Sequence, residues 1–295
     1  MLHSWAVNTR TATAVGFGAI LLWSALALLT TLVGPIPPFQ LTAMAFALGF
    51  SLAAVKWLLA SESIGAHLAL PLRVWALGVG GLFGYHVCFF VALTLAPPVE
   101  ANLINYLWPL LIVLFSGLLP GERLRWWHLA GGLSGLAGCA LLIGGGAGGF
   151  ELKYAAGYAT AFAAALTWSS YSVLSRRLRE VPTDAVGAFC GATAVLALIA
   201  HLLFERTYVP QGGEWLALLV LGFGPVGAAF YLWDYGVKRG DIKALGALSY
   251  MTPLLSTLLL VLFGHGEPSL RLGLACLLVV GGAVLASREL WGRRD

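Results

Sequence analysis

The chain has 295 residues, of which 59% are hydrophobic and only 10% are charged, with a formal net charge of +4 at pH 7. A soluble domain carries roughly 25% charged residues, so this composition excludes a water-soluble globular protein and indicates a chain that crosses a membrane several times. The basic residues lie in short connections between apolar segments, which favours topology signals over a nucleic-acid-binding surface.

Ten apolar segments are long enough to cross a bilayer, whose hydrocarbon core of about 30 Å needs about 20 helical residues. The first follows Arg10 and is longer than the apolar part of a signal peptide, so we expect an uncleaved helix there. In chain order the segments cover residues 12–33, 38–60, 72–95, 99–119, 124–145, 154–175, 184–204, 214–237, 242–263 and 270–290. The sequence therefore predicts an all-α integral membrane protein with ten transmembrane helices.

The connections between these predicted helices differ strongly in charge between the two sides of the membrane. Fourteen of the 17 Lys and Arg residues fall on one side, and only Lys153, Arg206 and Arg271 fall on the other. Because short cytoplasmic connections are enriched in Lys and Arg, we expect both termini to be cytoplasmic.

Three short motifs recur in the same order, 144 or 145 residues apart. This spacing predicts two repeats of five helices each, residues 1–147 and 148–295. An odd number of helices forces the repeats into opposite orientations, an inverted plan that many secondary transporters use to place a substrate site near mid-membrane. The pairs are Trp23-Ser24 with Trp168-Ser169, Tyr106 and Pro109-Leu110-Leu111 with Tyr250 and Pro253-Leu254-Leu255, and Gly121-Glu122 with Gly266-Glu267.

Pro109 and Pro253 lie near the centres of the fourth and ninth predicted helices. Each proline removes the hydrogen bond to the carbonyl four residues earlier, which belongs to Asn105 or Ser249, and a bare carbonyl is costly in hydrocarbon. We therefore expect two hinges facing a polar cavity that Asn105, Tyr106, Ser249 and Tyr250 line. The alternative is a kink repaired locally by water or a hydroxyl, with Asn105 only joining two helices.

Several tryptophans and tyrosines lie deep inside the predicted helices, whereas these residue types usually prefer the membrane interface. Simple helix packing is one explanation. The other is a cavity that receives an apolar or aromatic ligand through ring contacts. The deep residues are Trp23, Tyr85, Trp108, Trp168 and Tyr171.

Ionisable residues inside a membrane are functional candidates, and here we consider His86, Glu100 and Asp234 for ion coupling. His86, beside Tyr85, is expected to line the cavity. Glu100 suits either a cavity mouth or a helix N-terminus, and Asp234 most simply pairs with Lys238 one turn later. The sequence shows no metal-ligand spacing, nucleophile motif or ATP-binding motif, so we expect no cofactor, no metal and no enzymatic activity.

The motifs NYLWP at 105–109, LLWS at 21–24 and SYMTP at 249–253, with Gly-Glu after the fourth and ninth helices, resemble the EamA-type branch of the drug/metabolite transporter superfamily, and within it the aromatic amino acid exporters. This resemblance implies an inner-membrane transporter that exports aromatic and other neutral amino acids. It also implies a largely hydrophobic cavity between the repeats, at positions Trp23, Tyr85, Asn105, Tyr106, Trp108, Trp168, Tyr171, Trp233, Ser249 and Tyr250.

The expected mechanism is alternating access, with Pro109 and Pro253 as hinges and the Gly-rich fifth and tenth helices at the periphery, in a monomer or homodimer within the lipid bilayer. Export of another small metabolite or a drug-like cation is an alternative. A cation exporter would be expected to carry a buried carboxylate at mid-depth, and the sequence places none clearly there. An uncoupled facilitator or channel is the other alternative.

Overall fold

The computed structural model describes residues 8–144, 149–263 and 269–292, and these residues form helices and connections without a β-strand. A helical segment, straight or interrupted, covers each of the ten predicted spans. They are Thr9–Leu32 (α1), Pro38–Leu59 (α2), Leu72–Leu95 (α3), Pro98–Ser116 (α4), Trp126–Ile143 (α5), Ala155–Arg177 (α6), Ala185–Phe204 (α7), Gly213–Arg239 (α8), Ile242–Leu262 (α9) and Leu270–Ala286 (α10).

Eight of these segments are long and apolar enough to cross a membrane, namely all except α6 and α10. Helix α6 has 23 residues but is more polar, and α10 is apolar but has 17 residues. Short helices Ile64–Leu68, Leu152–Tyr154 and Arg288–Gly292 lie outside the long segments. The chain is therefore a multi-pass membrane protein.

The helix ends follow local sequence signals. Helices α2 and α4 begin at Pro38 and Pro98, where the missing amide proton costs no hydrogen bond. Helix α9 is capped by Asp241, whose carboxylate accepts the backbone amides of Lys243 and Ala244 at 3.0 and 3.1 Å. Such signals explain why most observed helix ends lie within three or four residues of the predicted ones.

The helices pair across the two predicted repeats. Helix α1 packs on α8 and α3 packs on α6, while α2 packs on α7 and α5 on α10. A Cβ atom on Gly131 would lie 2.5 Å from the Gly282 carbonyl oxygen, so the α5–α10 contact requires glycine there. The Gly-rich faces of α5 and α10 are thus used within the chain.

Five of the described helices are interrupted, α1 by a turn at Ala25 and four others in two equivalent pairs. Helices α3 and α8 each contain a π-helical segment, Gly80–Gly84 and Gly222–Ala228. Helices α4 and α9 break at residues 106–107 and 249–250, just before Pro109 and Pro253, where a helix interior cannot complete its hydrogen bonds. The sequence analysis predicted the breaks in α4 and α9 but missed the π segments, which glycines and Pro225 accompany.

The expectation of a freed carbonyl is wrong for Ser249. Its carbonyl accepts a hydrogen bond from the Thr252 amide at 3.0 Å, and its hydroxyl donates to the Leu245 carbonyl at 2.7 Å. The break at Ser249 allows a tight turn in which the backbone satisfies itself, so this residue makes no demand on a polar cavity.

Candidate functional site

A cavity of about 710 Å³ opens between the helices of the two predicted repeats. The cavity lies towards one end of the helix bundle. The C-terminal parts of α1 and α9 and the N-terminal part of α2 contribute to its walls. Most of the lining is apolar or aromatic, with a few polar groups, as is usual for small-molecule sites.

Three tryptophans, Trp23, Trp108 and Trp168, form the floor of the cavity, and Trp233 packs behind them; we call this group of four the tryptophan floor. The Trp23 ring lies 5.6 Å from Trp168 and 6.5 Å from Trp108 in edge-to-face geometry, and Trp233 lies beneath, 5.2 Å from Trp23. The Trp23 indole N–H donates to the Pro225 carbonyl at 2.9 Å. The π segment of α8 therefore fixes the orientation of the central ring.

One wall of the cavity is polar and comes from α3 and α4. The Asn105 side-chain amide donates to the Tyr85 hydroxyl at 3.2 Å, and Tyr106 lines the cavity beside them. His86 has its Nδ1 atom 2.7 Å from the Leu82 carbonyl. Tyr85 and His86 directly follow the π segment of α3, and a π segment changes the direction in which the following side chains point.

Of the two predicted hinge residues, Pro253 lines the cavity and Pro109 does not. Seven predicted binding residues also line it, namely Trp23, Tyr85, His86, Asn105, Tyr106, Trp108 and Trp168. The cavity also has lining residues that the sequence analysis missed, including Phe46, Phe230 and Thr252. In a helix that is apolar on all sides, composition does not show which face turns inward.

Four predicted binding residues, Tyr171, Trp233, Ser249 and Tyr250, lie behind the cavity surface. The Tyr171 ring packs on the π segment of α3, and Tyr250 packs on α5, in both cases against a glycine where a Cβ atom would lie 2.4 Å from the ring. The Trp233 indole N–H donates to the Ser172 hydroxyl at 3.0 Å. These residues therefore pack behind the residues that line the cavity, and the Ser249 hydroxyl makes its hydrogen bond within its own helix.

Two of the three ion-coupling candidates lie away from the cavity. Glu100 is buried in the first turn of α4, where a carboxylate suits the helix dipole. Asp234 pairs with Lys238 at 2.9 Å and accepts the Thr183 hydroxyl at 2.8 Å, which is the ordinary i,i+4 arrangement. Among the described residues that line the cavity there is no Asp, Glu, Lys or Arg, and His86 is the single histidine.

Three charged residues, Glu122, Arg176 and Lys243, meet at the opposite end of the bundle, and we call them the charge latch. Glu122 contacts Arg176 at 2.7 Å and Lys243 at 2.5 Å, and Arg176 also donates to the Val237 and Gly240 carbonyls. The latch joins the α4–α5 connection to α6, α8 and α9. The equivalent Gly266-Glu267 pair lies outside the described residues.

The charge latch keeps Glu122 ionised. Burial by itself would raise the pKa of this carboxyl, but hydrogen bonds and charges from Lys243 and Arg176 outweigh burial and hold the pKa below its ordinary value. Glu122 lies in the connection between α4 and α5, so its protonation can respond to the aqueous phase.

Three residues with metal-binding side chains, Glu62, His67 and Asp184, meet near the α2–α3 connection, which the sequence did not predict. Lys56 forms an ion pair with Asp184, and the His67 ring lies 2.7 Å from the Glu62 carboxylate. Both carboxylates therefore already have partners.

Comparison with known proteins agrees with the helical architecture. A model described as the EamA-like transporter family matches residues 10–144 and, a second time, residues 155–288. The chain is 55% identical over 283 residues to the aromatic amino acid exporter YddG of Ancylobacter novellus, covering 95% of this chain and 98% of that protein. It is 25% identical over 291 residues to the aromatic amino acid exporter YddG of Salmonella typhimurium, covering 95% and 97%.

A solved crystal structure is similar over almost the whole chain. It shares 54% sequence identity and superposes with a TM-score of 0.92, covering 96% of this chain and 99% of the other. The similarity therefore extends over both halves of the molecule.

Proposed function

The chain belongs to the EamA-like transporter family, and on that premise we propose that it exports aromatic and other neutral amino acids across the bacterial inner membrane. The observation that carries this proposal is the uncharged, aromatic-lined cavity of about 710 Å³. An amino acid zwitterion has no net charge, so it needs dipolar partners and ring contacts rather than a counter-charge.

Within this proposal the three lining rings of the tryptophan floor contact the substrate side chain, and the wall with Tyr85, Asn105 and Tyr106 contacts its polar end. His86 is the candidate for proton coupling, because it is the single imidazole among the described lining residues. Glu100 and Asp234 would act on the cavity only indirectly. A drug-like cation would gain no carboxylate partner among the described lining residues.

The transport cycle that we propose is alternating access between two inverted five-helix repeats, residues 1–147 and 148–295, with Pro109 and Pro253 at the hinges. With both termini cytoplasmic, the open cavity faces the outside and the charge latch closes the cytoplasmic end. Opening the latch and closing the outer walls would expose the tryptophan floor to the cytoplasm. We propose a monomer or a homodimer in the bilayer as the transporting form.

The test is transport by the purified protein in liposomes. We expect saturable uptake of labelled phenylalanine and tryptophan that unlabelled substrate on the opposite side accelerates, which a channel would not show. Asn105→Ala and Trp108→Ala should each lower the uptake about tenfold or more, because each removes a group from the cavity surface.

The matched control is Trp126→Ala, since Trp126 is 64% exposed at a helix start outside the cavity. This variant should transport like the unaltered protein. Absence of aromatic amino acid transport by the unaltered protein would refute the proposed substrate class. Unchanged flux in both Asn105→Ala and Trp108→Ala would refute the proposed site.

A further inference from the structure

Thr252 occupies in the second repeat the position that Trp108 occupies in the first. The two residues are 144 apart, and each immediately precedes the hinge proline, Pro109 or Pro253. Both line the cavity, but Trp108 contributes a ring to the tryptophan floor, whereas Thr252 is small and polar. The repeat therefore leaves space at one of two equivalent positions and places a hydroxyl there.

The Thr252 hydroxyl lacks a hydrogen-bond partner, although the residue is only 9% exposed. Two other hydroxyls of α9 donate to a backbone carbonyl, Ser249 to Leu245 and Thr257 to Pro253. Thr252 stands in the first turn after the break at 249–250, and the Ser249 carbonyl three residues earlier accepts the Thr252 amide rather than its hydroxyl. An unpaired buried hydroxyl is costly unless a ligand satisfies it.

A complementary unpaired group lies on the polar wall. The Asn105 side-chain carbonyl oxygen is buried without a hydrogen-bond partner, while the amide nitrogen of the same side chain contacts Tyr85. Helices α4 and α9 thus each carry, next to their break, one unsatisfied polar atom in a residue that lines the cavity. Both atoms are buried in the described conformation. After a rotation of each side chain into the cavity, the hydroxyl can donate to a carboxylate and the amide oxygen can accept from an ammonium group.

We propose that Thr252 determines specificity by donating a hydrogen bond to the α-carboxylate of the transported amino acid, while the Asn105 side-chain oxygen accepts from its α-ammonium group. This proposal rests on the proposed function and extends it to a residue in the second repeat. It also assigns a reason for the difference between the repeats, since a second tryptophan at position 252 would fill the space that the polar end of the substrate needs.

The experiment measures how well two competitors inhibit uptake of labelled tryptophan in liposomes. Unlabelled tryptophan carries the carboxylate, and tryptamine has the same ring and ammonium group without it. For the unaltered protein we expect tryptophan to inhibit at a lower concentration than tryptamine. Thr252→Val keeps the shape and removes the hydroxyl, so it should reduce this preference about tenfold. Thr252→Ser should retain it.

The matched control is Thr193→Val. Thr193 is a fully buried threonine of α7 whose hydroxyl also lacks a partner, but it does not line the cavity. The same chemical change there should leave the ratio of the two inhibition constants unchanged. If Thr252→Val does not fold, Thr252→Ala gives the same comparison, because it also removes the hydroxyl.

The outcomes separate this inference from the proposed function. Loss of the preference in Thr252→Val, with retention in Thr252→Ser and Thr193→Val, supports the inference. An unaltered preference in a Thr252→Val protein that still transports tryptophan overturns it and leaves the proposed function intact. Equal weakening of both competitors also overturns it, because it indicates a structural role. If the unaltered protein does not transport tryptophan at all, the proposed function itself fails.

Discussion

Tyr85 and Ala229 both resume an α-helix directly after a π segment, 144 residues apart, yet only Tyr85 brings a polar group to the cavity. The next positions hold His86 in the first repeat and Phe230 in the second. The two halves that the family model matches thus have similar backbone interruptions and differ in the side chains that follow them. In the first half these side chains include the polar groups of Tyr85 and His86, and in the second half they do not.

The same contrast holds at the end of the bundle where the charge latch lies. Arg176 and Lys243 have Thr31 and Val99 as their equivalents in the first half of the chain, 145 and 144 residues earlier. Both halves of the sequence contain a Gly-Glu pair. The two residues that pair with Glu122 are cations, whereas their equivalents in the other half are uncharged. We infer that this difference lets ion pairs hold the helices together at the latch end.

The largest effect that we expect tests whether the tryptophan floor depends on both repeats equally. Trp23→Ala and Trp168→Ala should each reduce the free energy of unfolding by about 3 to 5 kcal/mol, because each removes a buried ring that contacts several others. The measurement is thermal unfolding of the purified variants in detergent. Trp215→Ala, at a 45% exposed position, serves as the control and should change little. A loss confined to one of the two floor variants would show that the repeats contribute unequally.

A smaller effect should follow from removing the negative charge of the latch. Glu122→Gln leaves Arg176 and Lys243 without a counter-charge, at side-chain exposures of 14% and 8%. We expect the conformational equilibrium to shift by about 2 kcal/mol towards an open latch, a value between those of surface and buried ion pairs. Maleimide labelling of a cysteine at Ser175, on the latch side of the tryptophan floor, should then accelerate roughly 30-fold.

The matched control for the latch is Glu151→Gln, because Glu151 pairs with Lys153 on the exposed surface. It should not alter labelling.

The pH dependence of the latch has a definite sign. Because the pKa of Glu122 is lowered in the folded protein, the latch is intact above the ordinary glutamate pKa of about 4.3 and is lost only as the pH falls through the lower folded value. A labelling rate that increased steadily as the pH was lowered from about 8 to about 5 would contradict this assignment.

The smallest effect is expected at Ser249, the equivalent of Asn105. Its hydroxyl bonds to the Leu245 carbonyl in the same helix and does not line the cavity. Ser249→Ala should therefore change the free energy of unfolding by less than about 0.5 kcal/mol and the tryptophan flux by less than about twofold. The comparison is with Asn105→Ala in the same transport assay. A tenfold loss in Ser249→Ala would place this serine at the substrate after all.

Much of the architecture was predictable because the membrane imposes simple rules. Apolar length located the helical segments, and the prolines located the breaks in α4 and α9 to within three or four residues. The π segments in α3 and α8 were not predicted, since glycine-rich stretches occur equally in regular membrane helices. The rotation of each helix was also not predictable, which is why Tyr171 and Tyr250 were expected at the cavity and Thr252 was not.

The sequence by itself determined that this is a multi-pass helical membrane protein and which residues are deep and aromatic, because both follow from composition and length; from recurrence along the chain it predicted that the two halves are related. Only the tertiary structure decided which polar atoms remain unpaired and which charges meet. Those properties depend on contacts between residues far apart in sequence, such as Trp23 with Pro225 and Glu122 with Lys243. No local pattern encodes them.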